Sequence, residues 1–132
     1  MIPKFRAWHK ELKQMMKVYR MDWGFEPPGI TLTDVYEKNR SRQINIYGLE
    51  NIELMQWTGL QDPFGKDIYE NDIVESDCDE GTMYEKVVRL SSGLYMLECI
   101  FSGEQQTDLE SCIESIEVAG NIYENPDLLN AL

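Results

Sequence analysis

The alternation of apolar and polar residues along this chain predicts strands rather than helices. Residues 5–9, 15–21, 43–47 and 54–59 each alternate with a period of two. Because successive side chains of a strand point to opposite faces, this pattern is typical of strands with two chemically distinct faces. A helix over residues 9–21 is the competing interpretation, since Lys, Leu, Gln and Met are good helix formers. We favour a hairpin there.

Turn residues divide the rest of the chain into short elements. Further strands are predicted over residues 30–33, 68–69, 73–74, 83–90, 94–101 and 116–123. Three intervening segments are predicted to be a charged connector, an acidic loop and a turn, over residues 34–42, 76–81 and 103–106 respectively. Thr107 followed by Glu110 has the form of a capping box and predicts a single helical turn. Asn125-Pro126 predicts the start of a short C-terminal helix over residues 127–132.

The stretch from residue 55 to residue 74 holds a complete turn signal between two apolar runs. Asp62-Pro63-Phe64-Gly65 has Asp first, Pro second and Gly fourth, which is a strong β-turn signal. A second turn follows, with Asn71 in its middle, and Asn tolerates positive φ. The prediction is strand, hairpin, short strand, sharp corner and strand, which is how a small antiparallel barrel begins.

The length of 132 residues fits one domain or one domain with a small appendage. We predict a strand-rich N-terminal unit over residues 1–51 and a barrel over residues 52–132. With no signal peptide and no apolar run near 18 residues, we expect a cytoplasmic protein with reduced thiols. Three cysteines at uninformative spacings and a single histidine exclude a structural zinc site, and no cofactor is predicted.

Charge is distributed unevenly. The formal net charge is -12, but residues 1–20 carry six basic residues against one acidic, a net +5, and the remainder carries six against 23, a net -17. The overall charge argues against a conventional nucleic-acid binder. We favour a basic arm that docks on the acidic surface of its own or a neighbouring subunit. The alternative is that this basic arm contacts the phosphates of a nucleic acid, in which case its attraction would have to overcome the electrostatic repulsion from the acidic remainder of the chain.

The candidate chemistry is sparse. Asp77-Cys78-Asp79-Glu80 has alternating carboxylates but lacks the glycine-centred turn of a calcium loop, so an acidic hairpin tip is favoured over a cation site. Asp62, Glu70 and Asp72 are the only carboxylates that we consider for acid–base chemistry, and structural roles in the turns are favoured for them. Cys99 lies in an apolar strand and is interpreted as a core residue. We therefore predict that the protein is not an enzyme.

Aromatic and basic residues alternate near the N-terminus. The aromatics are Phe5, Trp8, Tyr19 and Trp23, and the interleaved basic residues are Arg6, Lys10, Lys17 and Arg20. Such a pattern could form a stacking platform for a single-stranded nucleic acid. Aromatics on strands more often face a core or a subunit interface, and we favour that interpretation.

Three blocks of the sequence resemble the YopX family, whose members are encoded by phages and prophages. They are Lys4-Phe5-Arg6-Ala7-Trp8-His9-Lys10, the stretch from Met55 to Val74, and the run from Gly120 to Leu129. The family usually has Asp in place of His9 and Gly in place of Asn71. The blocks follow one another from near the start to near the end, so the resemblance covers essentially the whole chain.

The resemblance implies a mainly β protein (a β-rich α+β fold) whose C-terminal part is an SH3-like barrel, and a phage or prophage origin. It brings no catalytic residue to transfer. We expect a non-enzymatic protein-interaction module that associates with itself or binds a host or phage protein, without a membrane or small-molecule ligand. The alternative is a nucleic-acid-related role, either single-strand binding by the basic arm or acidic DNA mimicry. The candidate partner-binding residues are Arg6, Trp8, Lys10, Trp57 and Tyr69.

Overall fold

The computed structural model describes residues 4–22, 29–35, 42–78, 81–100 and 102–130. Within these ranges the protein is mainly β, with one short α-helix and three 3-10 helices, and its strands form curled sheets that include a half-barrel. The strands are β1 (Phe5–His9), β2 (Gln14–Asp22), β3 (Gly29–Val35), β4 (Arg42–Gly48), β5 (Ile52–Gln61), β6 (Asp67–Tyr69), β7 (Asp72–Cys78), β8 (Gly81–Arg89), β9 (Tyr95–Cys99), β10 (Gln105–Asp108) and β11 (Glu117–Asn121). Helix α1 is Leu109–Cys112, and the 3-10 helices are Leu49–Asn51, Ile113–Ser115 and Pro126–Asn130.

The chain divides into two compact units, residues 2–56 and 57–132. In the N-terminal unit, an antiparallel sheet has the strand order β4-β3-β2-β1-β5. Ala7 of β1 lies opposite Met16 of β2 and Leu54 of β5, and the first two of these side chains are buried. The alternation along β1 and β2 thus places one apolar face against a small core, so the hairpin prediction is confirmed and the helix over residues 9–21 is wrong.

The C-terminal unit contains the larger core. The end of β5 pairs with β6, and a five-stranded antiparallel sheet has the order β10-β9-β8-β7-β11. The buried side chains that form the core are Ile68, Val74, Val87, Leu97, Leu109, Ile116 and Val118. All of them are apolar, and they come from β6, β7, β8, β9, β11, helix α1 and the residue before β11.

Several predicted boundaries are wrong because strand pairing extends beyond the apolar runs. The connector predicted over residues 34–42 includes the end of β3 and the start of β4, while residues 36–41 lie outside the described ranges. The acidic loop predicted over residues 76–81 is mostly strand, since β7 reaches Cys78 and β8 begins at Gly81. The turn predicted at residues 103–106 includes the start of β10.

The two predicted helical segments form, with different details. The single turn after β10 is α1, but its N-cap is Asp108, without a side-chain capping bond, and Thr107 belongs to β10. The predicted capping box is therefore wrong. The C-terminal segment is a 3-10 helix over Pro126–Asn130, where a short helix was predicted over residues 127–132, and residues 131–132 lie outside the described ranges.

Candidate functional site

The turn between β5 and β6 is held together by one buried carboxylate. Asp62 is only 5% exposed, and its Oδ1 accepts the backbone N–H groups of Phe64 and Lys66, both at 2.9 Å. Its Oδ2 accepts the N–H of Val118 in β11 at 3.1 Å. Desolvation acts to raise the pKa of Asp62, but the three N–H donors and the Lys66 ammonium outweigh it and hold the pKa below its usual value.

This rigid turn presents an aromatic side chain to solvent. Phe64 is 76% exposed, the largest fraction among the exposed large apolar side chains of the described residues. It lines a surface cleft of about 360 Å³ together with residues of β7, β8 and the segment before β11. The bond from the Phe64 N–H to Asp62 fixes the backbone of the turn, and this backbone carries the aromatic side chain at the edge of the cleft.

The cleft is acidic. Its described lining includes four carboxylates, from Glu75, Asp77, Glu114 and Glu117, and contains neither Lys nor Arg. Glu75 and Glu117 are direct register partners on β7 and β11. Like charges directly opposite each other on neighbouring strands are destabilising, so the fold holds a repulsive pair at this position. A cation placed in the cleft would relieve the repulsion.

The polar residues of the corner between β6 and β7 form hydrogen bonds with backbone groups. Asn71 has a φ of 66°, as the turn prediction required, and its N–H and carbonyl bond to Val87 and Ile122 respectively. Asp72 is 1% exposed, and its Oδ2 accepts the N–H of Tyr69 at 2.8 Å. Of the three carboxylates considered for acid–base chemistry, Asp62 and Asp72 therefore accept turn amides.

The chain reverses after β11 through a second group of side-chain bonds. The Oδ1 of Asn121 accepts the N–H groups of Tyr123 and Glu124 at 3.0 and 2.8 Å. The Oδ1 of Asn125 accepts the N–H of Asn121, and a Cβ at position 120 would overlap the Asn125 side chain. Glycine at position 120 is thus required by this close approach.

The turn between β1 and β2 is closed by the single histidine. His9 is 4% exposed, and its Nδ1 accepts the N–H of Leu12 at 3.0 Å while its ring lies edge-on to Tyr47. A carboxylate at this position, as in the pattern of the resembling family, could accept the same N–H. Lys13 completes the turn with a φ of 53° and donates its N–H to the His9 carbonyl.

The candidate partner-binding residues fall in both units. Arg6 and Trp8 share one face of β1 and are half-buried, and the Lys10 ammonium contacts Glu53 at 3.2 Å and the Glu50 carbonyl at 3.3 Å. Trp57 and Tyr69 are register partners on β5 and β6, both half-buried. The indole of Trp57 donates to the Leu60 carbonyl at 3.1 Å.

Two aromatics of the alternative stacking platform lie on β1. Phe5 and Trp8 are three residues apart on one strand, so they point to opposite faces. Trp23 lies outside the described residues, as do Asp79 and Glu80 of the possible cation site. Among the described residues no group of three or more His, Cys, Asp or Glu side chains could hold a metal ion. None of the helices in the described ranges has the length and apolar character needed to cross a bilayer.

Sequence reasoning missed two features. Phe64 is one, although the middle of a β-turn faces solvent and an aromatic there is a recognisable signal. Glu85 is the other: it is 5% exposed, and its Oε2 has no hydrogen-bond partner. Desolvation by this burial raises the pKa of Glu85. Its burial could have been inferred from the period-two alternation of β8, because Glu85 falls on the same side of the strand as the buried Val87.

Comparison with known proteins agrees with the three sequence blocks. The chain is similar in structure to protein EF1440 from Enterococcus faecalis, with a TM-score of 0.64 and 24% identity over 98% of this chain and 99% of that chain. It is also similar to protein yopX from Bacillus subtilis, with a TM-score of 0.58 and 24% identity over 98% and 97% of the two chains. At this identity the likeness concerns the fold alone. No curated protein matches the chain.

The family comparison covers nearly every residue. The family model described as YopX protein matches residues 4–130, which include all three blocks. In each block the polar residues close a turn: His9 after β1, Asp62 after β5, and Asn121 after β11. The resemblance seen in the sequence is confirmed: the chain belongs to the YopX family.

Proposed function

We propose that this protein is a non-enzymatic protein-interaction module that binds its partner through the acidic cleft and Phe64. The single observation that carries this proposal is the 76% exposure of an aromatic side chain on a turn fixed by a buried carboxylate. Aromatic side chains on rigid elements supply contact area at a low cost in conformational entropy, and they are enriched among residues that dominate binding energy.

The uses of the carboxylates support a non-enzymatic role. Asp62 and Asp72 accept backbone N–H groups in their turns, which leaves them poorly placed to exchange protons with a substrate. The pKa of Glu85 is raised, but this residue is buried on the core side of β8 and does not line the cleft. A catalytic group would need both a shifted pKa and access to a substrate.

We propose in addition that the C-terminal unit is an SH3-like barrel and that the protein acts in the host cytoplasm as a phage or prophage product. The antiparallel order of the five-stranded sheet and the membership of the YopX family support this assignment. In addition to Phe64, the predicted contact residues are still Trp57 and Tyr69. Arg6, Trp8 and Lys10 are those predicted in the N-terminal unit.

A second candidate function is DNA mimicry directed at a host DNA-binding protein. The four carboxylates of the cleft favour it, because a surface that binds phosphates would also bind closely spaced carboxylates. This function predicts that the protein competes with duplex DNA for its partner, and that the competition weakens as the salt concentration rises.

The test is affinity capture from phage-infected or lysogenic host cells with the native protein, Phe64→Ala and Leu94→Ala. Leu94 is the matched control, because it is also an exposed apolar side chain in a turn, at 53%, and does not line the cleft. We expect a specific protein that the native chain and Leu94→Ala retain and Phe64→Ala loses. Equal capture by all three chains would contradict the role of Phe64 and the cleft.

A further inference from the structure

The turn between β1 and β2 presents an apolar side chain and a cation to solvent, and is therefore complementary to the acidic cleft. Leu12 is 50% exposed at its tip, and Lys13 beside it is also exposed. The bonds from Leu12 N–H to His9 Nδ1 and from Lys13 N–H to the His9 carbonyl fix the conformation of the tip. The ammonium of Lys10 is already engaged by Glu53, so Lys13 is the cation best placed to reach another molecule.

We propose that the β1–β2 turn of a second copy of this chain occupies the acidic cleft. Leu12 of one copy would pack against Phe64 of the other, and Lys13 would lie between Glu75 and Glu117, where it would relieve their repulsion. This proposal rests on the proposed function, since it names the occupant of the same cleft. It also gives the +5 N-terminal segment a counterpart within the -17 remainder of the chain.

The dimensions of the two surfaces indicate a weak contact. A cleft of about 360 Å³ is at the small end of ligand-binding pockets, which suits one apolar side chain and one lysine better than a large ligand. Contacts below the usual interface area are transient, so we expect a dissociation constant on the order of 100 µM. The β1–β2 turn and the turn that carries Phe64 are both held by internal hydrogen bonds, which lowers the entropic cost of association.

The contact joins two different surfaces, so association is head-to-tail. A pair of copies then retains one unoccupied tip and one unoccupied cleft, and growth continues until a ring closes or a filament forms. The average mass should therefore rise progressively with concentration instead of reaching a plateau at two chains. Because the contact pairs a lysine with carboxylates, added salt should lower the average mass.

The first experiment measures the average mass of the full chain by light scattering and sedimentation equilibrium between about 10 µM and about 1 mM. We expect a concentration-dependent increase that Lys13→Glu, Glu117→Lys, Leu12→Ala and Phe64→Ala each weaken by about tenfold in the association constant. Glu110→Lys is the control for charge and Leu94→Ala the control for apolar area, because both residues are exposed away from the cleft. These controls should leave association unchanged.

The second experiment is a charge swap. Lys13→Glu has an acidic tip and an acidic cleft, and Glu117→Lys has a basic tip and a less acidic cleft, so each should associate poorly alone. Mixing the two variants lets the unaltered lysine tip of Glu117→Lys meet the unaltered cleft of Lys13→Glu, so the mixture should associate more strongly than either variant alone. A merely destabilised variant would not be rescued in this way.

A mass of one chain throughout the concentration range, or association that does not respond to the charge swap, would overturn the self-docking proposal. Its failure is separable from failure of the proposed function. If the native chain stays monomeric but captures a host protein through Phe64, the self-docking proposal fails and the interaction module stands. If Phe64→Ala changes neither the mass nor the capture, both proposals fail.

Discussion

The strongest structural prediction concerns Asp62→Asn. The change removes one charge from a side chain that is 5% exposed and accepts three backbone N–H groups. Asparagine keeps one carbonyl oxygen, which can still accept from Phe64 and Lys66. Its amide nitrogen then faces the N–H of Val118, so two donors meet where a donor met an acceptor.

The expected loss follows from these bonds. A hydrogen bond to a charged group contributes about 1.5–3 kcal/mol, and one between neutral groups about 0.5–1.5 kcal/mol. The variant loses the bond to Val118 outright and weakens the other two, so we expect the free energy of unfolding to fall by about 3 kcal/mol. A typical domain has only about 5–15 kcal/mol in total, so such a loss is readily measured.

The measurement is urea unfolding at neutral pH, followed by a pH series. The pKa of Asp62 is lowered in the folded state, so its ionised form contributes stability at pH values above the ordinary pKa of 3.8. That contribution is lost as the pH falls through the lower folded value. The difference between the native chain and Asp62→Asn should therefore shrink below about pH 3.8.

Asp127→Asn is the control, because this exposed residue loses the same charge in the C-terminal 3-10 helix. It should lie within about 0.5 kcal/mol of the native chain. An Asp62→Asn variant equally close to the native chain at neutral pH would refute the assignment of Asp62 as the closing residue of the turn.

Three further predictions concern buried or turn-closing groups. Glu85→Leu should raise the free energy of unfolding at neutral pH by about 1–2 kcal/mol, because it removes a buried carboxyl oxygen without a partner. Since burial raises the pKa of Glu85, the native chain regains stability as the pH falls below that raised value, and a pH series of urea unfolding should show the gain shrinking in acid. Gly120→Ala should destabilise the protein by about 2 kcal/mol or more, since the new methyl group overlaps Asn125; thermal unfolding checks this, and a native melting temperature would contradict it. His9→Asp should retain most of the stability and His9→Ala should lose about 1 kcal/mol, because only the former can accept the N–H of Leu12; equal stability of the two variants would exclude that role.

The sequence predicted best those features whose determinants are close in the chain. The turn at residues 62–65 and the positive φ of Asn71 are local, because they depend on Pro, Gly and Asn at fixed positions. The acidic loop at residues 76–81 failed because composition indicated a loop, whereas cross-strand pairing between β7 and β8 extends to Cys78 and Gly81. Tertiary context overrides propensity in short polar strands of this kind.

Features that join distant residues could not be predicted. The bond from Val118 to Asp62 spans 56 positions, and nothing near either residue indicates the other. Glu85 is buried although charged residues are usually exposed. The alternation along β8 places it on the buried face, but its charge predicts exposure, and the sequence does not show which of the two decides. The cleft is likewise assembled from four separate segments, and no single motif encodes it.

The bond between Asp62 and Val118 also affects how the protein behaves in a concentrated solution. β11 is an edge strand of the five-stranded sheet, and unpaired edge N–H groups are templates for the addition of a strand from another molecule. The Asp62 carboxylate accepts a hydrogen bond from one of these N–H groups, that of Val118, and brings a negative charge to the edge. Loss of Asp62 should therefore promote aggregation of still-folded molecules through the edge of β11.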